Sequence, residues 1–414
     1  MYLLYSRTVS VSTLFCRNFV VLIQQNILTT KYRMNKKLGY YTCNGIEFQS
    51  KIRAAIYSEV TKQPLKWHFN EEVFSKFPWH IEPEVSLSKL YDMRAKQIRE
   101  EFDYIIICYS GGSDSNNMVE SFIRQGLHID EIVSNYPVEI SEKFLSTNPN
   151  DHASSNTINE FKFHTADRLN YIKNKCPNTK IKMLDTSNLV VKNLVNAEDK
   201  YWVLNKKEVL NPGGTNQFNY THFNDIRKQF DKDKKIAMLI GIDKPRCRII
   251  DNNFYLYFSD KIANIVNVDD YLNEYPNSTP VYFYWDPENV LALAKQAHTL
   301  LAWLKANPQY QKYWKNIDFK TTREIHEPLL KSIVYSDTWN PNWYQAVKAA
   351  NDWFCEIDNW FYQGYRNTKE FEIWKSGIAY LSKKIPNFIR LDSEGNPTGT
   401  KIIDSQNYFI GTLD

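Results

Sequence analysis

No run of eighteen or more apolar residues occurs in the 414-residue chain, so no helix able to cross a bilayer is expected. The six cysteines, at 16, 43, 108, 176, 247 and 355, contain no Cys-x-x-Cys and no paired spacing. That absence argues against zinc, an iron–sulfur cluster and a disulfide framework, and it suits a reducing compartment. His152, His164 and His222 share no spacing with acidic or cysteine partners that would mark a metal site; exposed or hydrogen-bonded side chains are expected there. Acidic residues are missing from the first 46 positions, where six basic ones stand: Arg7, Arg17, Lys31, Arg33, Lys36 and Lys37. Without those six, the 51 Lys and Arg fall to 45 against 47 Asp and Glu, so residues 47–414 carry a net charge of −2. That body lacks the basic excess of a dedicated nucleic-acid binder, while a local contact with tRNA or DNA stays open.

What is present centres on Ser110-Gly111-Gly112-Ser113-Asp114-Ser115. The run before it, Tyr104-Ile105-Ile106-Ile107-Cys108-Tyr109, is β-branched and aromatic with no charge, as a strand buried on both faces of a parallel sheet requires. Behind it, Asn116 to Arg124 places Val119, Phe122 and Ile123 on one helical face. Two adjacent glycines let the backbone turn sharply and aim successive amides at one spot, and the helix N-terminus adds partial positive charge. The order strand, loop, helix therefore reads as a cradle for a phosphate.

The pattern Ser-Gly-Gly-x-Asp-Ser resembles the PP-loop of the ATP pyrophosphatase superfamily, which includes asparagine, GMP, NAD and tRNA-lysidine synthetases and the phosphoadenylylsulfate reductases. The resemblance covers the middle of the chain and rests on one motif. It implies a Rossmann-like α/β domain that binds ATP with Mg²⁺, holds the pyrophosphate end of ATP and leaves the α-phosphorus open to attack. Carried over, Ser110, Gly111, Gly112 and Ser113 bind phosphate through amides and hydroxyls, Asp114 helps hold Mg²⁺, and Ser115 binds phosphate at the helix start. The sequence departs from the family in lacking an amino-terminal cysteine for a glutaminase and a Glu-Cys-Gly-x-His motif at the carboxy terminus. Built-in ammonia release and phosphoadenylylsulfate reduction are therefore disfavoured, even though the sheet domain looks closest to the reductase branch. Missing paired cysteines also disfavour cluster-dependent tRNA thiolation.

At 43% hydrophobic and 24% charged, the chain has an ordinary globular balance and room for two or three domains. A mixed α/β segment is expected over 34–102, closing in a helix near Ser86 to Phe102. From 103 to 270, strands at 104–109, 131–136, 180–184 and 235–240 alternate with helical patterns, one of them opened by the capping box Thr157-x-x-Glu160. Such alternation implies a doubly wound, mostly parallel sheet with its ligand crevice beyond the carboxyl ends of the strands. Eight of eleven tryptophans fall between Trp285 and Trp374, so 271–385 reads as a helical region with an aromatic core, or as an aromatic surface for a base or a partner. Helices are expected from Pro287 and from Pro341, and 386–414 reads as a terminal hairpin.

Gly241-Ile242-Asp243-Lys244-Pro245-Arg246 follows the fourth strand directly, so Lys244 and Arg246 can project toward the rim that carries the phosphate loop. A fixed cation there would neutralise charge on departing pyrophosphate, with Arg246 offering a fork to two oxygens; the plainer reading is a solvated turn. Asp185, at the end of the third strand, reads either as a Mg²⁺ ligand or as a helix cap. Asn211-Pro212-Gly213-Gly214-Thr215 reads as a turn or a lid. The expected partners are ATP and a small-molecule or macromolecular acceptor not named by any motif, and no membrane; oligomeric state is left open. Two classes of function follow: an adenylating enzyme with an amine, ammonia or sulfur nucleophile, or a nucleotide-binding assembly protein without turnover.

The first 33 residues have two readings: a transit peptide, acid-free and arginine-bearing, that would direct the chain to mitochondria, or an extension ahead of a cytosolic start at Met34. Under either reading the folded body does not need them. Deleting residues 1–33 should therefore leave the melting temperature unchanged; a fall of several degrees, the effect of losing about 1 to 2 kcal/mol, would place the segment in the fold.

Overall fold

The computed structural model describes residues 34–136, 138, 161–185, 200, 222–242, 244–260, 274–315, 317, 325–343, 367–391, 395 and 397–414. The segment 1–33, the capping box at 157–160, the turn at 211–215, Asp243, Cys16, Cys355 and residues 344–366 of the helix expected from Pro341 lie outside them.

The chain enters through a small antiparallel sheet: β1 (Tyr40–Cys43), β2 (Ile46–Phe48), α1 (Lys51–Thr61) and β3 (Leu65–His68), in the order β2-β1-β3. Helix α2 (Leu87–Glu101), capped by the Ser86 hydroxyl on Lys89 N, leads into β4 (Tyr104–Cys108). There follow α3 (Ser113–Arg124), β5 (Glu131–Tyr136), α4 (Ala166–Lys175), β6 (Lys180–Asp185), β7 (Ile236–Ile240), β8 (Arg246–Ile250), β9 (Asn253–Tyr257) and β10 (Ser278–Tyr282). The carboxy-terminal part holds α5 (Val290–Ala306), α6 (Glu327–Val334), α7 (Lys369–Lys384), β11 (Ile389–Leu391), β12 (Pro397–Thr400) and β13 (Tyr408–Thr412).

The central sheet has five strands in the order β10-β7-β4-β5-β6, every neighbouring pair parallel. The four strands read from the sequence are all present. Strand β4 is buried at four of its five positions and β7 at all five, as continuous apolar runs in a helix-covered sheet demand. Burying Ile105 and Ile107 completely contributes about 1.5 to 3 kcal/mol each. The fifth strand lies past residue 270, in the stretch read as the start of the helical region. Its five residues include Pro280, which is tolerated because β10 is an edge strand, and which hides the strand in the sequence. Counted in chain order the strands run 5-4-1-2-3, so the order reverses between β4 and β7. At such a reversal the connections leave the sheet to opposite sides and open a crevice at the carboxyl ends.

The expected terminal hairpin forms between β11 and β12, but β13 leaves it to pair with β9, which pairs with β8. Aromatic residues of the two chain ends share one core: Phe69 and Phe74 pack with Phe258, and Phe258 with Trp285 and Tyr408. No helix among the described residues is long and apolar enough to cross a membrane.

Two buried ion pairs tie distant segments together. Lys51 Nζ lies 2.5 Å from Asp260 Oδ2, with side-chain exposures of 3% and 0%. The lysine also donates to the Lys401 carbonyl, and the carboxylate accepts from Tyr41 Oη and Ile403 N. The second pair joins Arg94 of α2 to Asp286 at 2.9 Å, while the same guanidinium donates to the carbonyls of Tyr282 and Phe283. Removing one partner of such a pair strands a charge in a dry interior. Asp260→Leu should therefore destabilise the protein by about 3 to 5 kcal/mol in urea unfolding, whereas Lys51→Met combined with Asp260→Leu should recover most of that loss.

Candidate functional site

The loop after β4 and the segment after β7 flank the crevice. Gly111 takes φ +81, and a Cβ there would lie 2.1 Å from Thr165 Oγ1, so only glycine fits the turn. Thr165 closes the loop from outside by donating its hydroxyl to the Ser110 carbonyl at 3.0 Å. Within the loop, Ser115 Oγ donates to the Gly112 carbonyl at 3.0 Å and accepts from Ser110 N at 3.3 Å; Ser110 Oγ accepts from Gly112 N at 3.3 Å. These two hydroxyls, expected on phosphate, also shape the turn. Helix α3 begins at the buried Ser113, three residues earlier than the apolar pattern showed.

Gly112 is the N-cap of α3 at φ −67 and offers no side-chain oxygen to the helix amides, whereas Ser50, Ser86 and Thr368 cap their helices with hydroxyls. An uncapped first turn keeps N–H donors and partial positive charge for a ligand. Gly241 allows the end of β7 to press against this turn: a Cβ there would come within 3.2 Å of Ser115 N.

Lys244 reaches the loop. Its Nζ lies 2.9 Å from Asp114 Oδ2 and 3.2 Å from Oδ1, with side-chain exposures of 11% and 23%. Arg246 instead opens β8 opposite Tyr257, on the strand face it shares with Arg248, whose guanidinium stacks on Tyr257 and pairs with Asp404. Asp185 ends β6 and accepts from Val138 N at 2.9 Å, as a cap on the chain leaving β5. Strand β5 stands between β4 and β6, which sets Asp185 about 10 Å from the loop at the usual strand spacing. The structure thus brings Lys244 to Asp114 and holds Asp185 apart from it. Among the described residues no group of three or more His, Cys, Asp or Glu could hold a metal ion. Mg²⁺ in nucleotide sites commonly takes one or two carboxylates with substrate phosphates, a ligand set that Asp114 alone can begin.

Sequence reading missed the tyrosines. Tyr335, at the end of α6, donates its hydroxyl to Asp114 Oδ1 at 2.7 Å, and Tyr284, after β10, donates to the Asp114 carbonyl at 2.8 Å. Burial, reinforced by the charge of Asp114, pushes the Tyr335 phenol well above its usual value, so it stays a neutral donor. Asn117 donates to Tyr284 Oη at 2.9 Å and accepts from Thr338 at 2.9 Å. On the other wall, Arg168 donates to Asn116 Oδ1 and pairs with Glu120 while lying over the rings of Tyr171 and Trp343. No spacing signals these residues, because each comes from a different element and Tyr is common in this chain.

The two described cysteines nearest this chemistry are poor nucleophiles. Burial pushes the Cys108 thiol, two residues before the loop, up to about 12, and raises the Cys247 thiol as well. Of the histidines, His222 is buried against Glu131 at 2.5 Å, and His164 packs on Trp343.

No protein-family model matches the chain, and no curated protein matches it in sequence.

Gly111→Val should cost more in urea unfolding than the about 1 to 2 kcal/mol of its φ alone, because the branched side chain would also displace Thr165. Gly126→Val, at φ +61 with nothing within 4 Å of the added Cβ, should cost the φ contribution only.

Proposed function

We propose that this chain is an ATP-dependent enzyme of the ATP pyrophosphatase kind, which adenylates a substrate and releases pyrophosphate at loop 110–115. One observation carries the reading: an uncapped helix start, a glycine turn only glycine can make, and a buried lysine meet at the crevice where the strand order reverses. That set supplies amide donors and one fixed cation for a polyphosphate. Mg²⁺, held with the help of Asp114, would supply charge neutralisation at the phosphates.

The reaction is an attack of a substrate oxygen on the α-phosphorus. The bond from that phosphorus to the bridging oxygen breaks, its electron pair leaves with pyrophosphate, and the substrate becomes an adenylate. An amine, ammonia or sulfur nucleophile then displaces AMP. The loop amides and Lys244 would carry the negative charge that grows on the leaving pyrophosphate, the kind of electrostatic help that dominates such transfers. Arg246 and Asp185 are assigned no contact with the reacting atoms. The raised thiols of Cys108 and Cys247 make neither of these two a nucleophile for the second step.

Incubation with ATP and Mg²⁺ against a library of metabolites and RNAs should give substrate-dependent release of pyrophosphate and AMP in equal amounts. Asp114→Ala should suppress it by about a hundredfold or more, through loss of a charged ligand and of the partner that sets Lys244. Release of ADP and phosphate instead would remove the chain from this chemistry.

A further inference from the structure

Carboxylate–lysine pairs at partly exposed sites hold their geometry weakly, because two flexible side chains lose little by separating. The Asp114–Lys244 pair is different in one respect: its carboxylate has a second donor besides the lysine. Lys244 donates to Oδ2 at 2.9 Å and to Oδ1 at 3.2 Å, and Oδ1 also accepts from Tyr335 at 2.7 Å. Rotation of the carboxylate would disturb these hydrogen bonds at once.

The tyrosine itself cannot move easily. Tyr335 is 1% exposed, and its ring packs against Tyr284 at 5.6 Å and Tyr91 at 6.0 Å. The residue before it is held by a second relay, in which Gln296 of α5 donates to Tyr91 Oη and Tyr91 donates to the Val334 carbonyl, each at 2.9 Å. Tyr284 is fixed by the Arg94 clamp on Tyr282 and Phe283 and by Asn289, which donates to the Phe283 and Tyr284 carbonyls. Its hydroxyl then fastens the backbone of Asp114, while Tyr335 fastens the side chain.

We propose that Tyr335, assisted by Tyr284, is a positioning residue that sets Asp114 and through it Lys244, so that segment 325–343 is a working part of the site. Packing alone would be served by phenylalanine at both positions; the hydroxyls are spent on one residue of the loop. The role concerns the ligand-free protein, and only its consequence for anion binding rests on the phosphate reading.

The test uses the full chain. Trace acylation with acetic anhydride, followed by mass spectrometry of the peptide bearing Lys244, reads how firmly that amine is held. Asp114→Asn should raise the Lys244 rate by about tenfold or more, and Tyr335→Phe should raise it to a comparable extent with little change in the melting temperature. Tyr284→Phe, which keeps Tyr335 in place, should give a smaller rise and serves if Tyr335→Phe does not fold. A rate in Tyr335→Phe equal to that of the parent, or in Asp114→Asn equal to it, would overturn the proposal. Calorimetry with inorganic pyrophosphate and Mg²⁺ gives the consequence: Tyr335→Phe should bind about tenfold more weakly. If the parent protein binds no pyrophosphate the phosphate reading fails, and the lysine rates still decide the role of Tyr335.

Discussion

One carboxylate in the first turn of a helix, Asp114, is where four separate parts of the chain meet. Its position follows from backbone constraints, since the turn at Gly111 and the cap at Gly112 start α3 where the sheet's strand order reverses. A negative side chain is favoured there by the partial charge of the helix start. Being half-withdrawn from water, it also needs donors, and it collects them from the segment after β7 and from the end of α6, while the carbonyl of the same residue accepts from Tyr284 after β10. Those three segments are 130 to 221 residues distant in sequence, so satisfying this one residue helps fix how the helical part of the molecule sits on the sheet.

The central sheet was largely legible because its strands are short, apolar and unbroken, which leaves no competing period. The tight turn at 110–115 was legible because adjacent glycines between a strand and a helix mark a sharp change of chain direction. Strand β10 was hidden by Pro280 and by the tryptophans around it, which made the composition of the neighbourhood look like one helical region. Lys244 could be placed near the loop from its distance after β7, whereas Arg246 gave no sign that it would open a strand. The turn at Pro245 converts directly into β8, so a residue two places on belongs to a different sheet. Tyr284 and Tyr335 were beyond reach for a plainer reason. A hydroxyl 2.7 Å from a carboxylate leaves no period and no spacing in the chain, and its identity is fixed only after the fold is complete.

The aromatic composition of the carboxy-terminal part has a second consequence. Trp285 packs on Phe69 and Phe258, and Trp79 on Tyr408, so residues of the first and last hundred positions complete one another's packing. Large rings bury much apolar area per side chain and allow short elements to be held firmly. Such rings, together with α1 against β1 and α5 against β13, hold the three small sheets beside the parallel sheet. The buried Lys51–Asp260 pair adds little net stability by itself, but it forbids arrangements that would leave either charge unpaired. It therefore acts on which arrangement is adopted more than on how stable that arrangement is.

A lysine paired with a carboxylate in the resting site is not an unconditional attractor of anions. A polyanion entering the crevice gains from Lys244 only what it adds beyond the existing contact with Asp114, and it meets the charge of Asp114 as well. On the function proposed above, an anion arriving with its own divalent cation would avoid that penalty, since Asp114 would then hold the cation and leave Lys244 for the phosphate. The arrangement would in that case favour metal-complexed polyphosphate over free phosphate or a simple carboxylate. The tyrosine hydroxyls would add to this preference, since they hold the carboxylate in one direction beforehand.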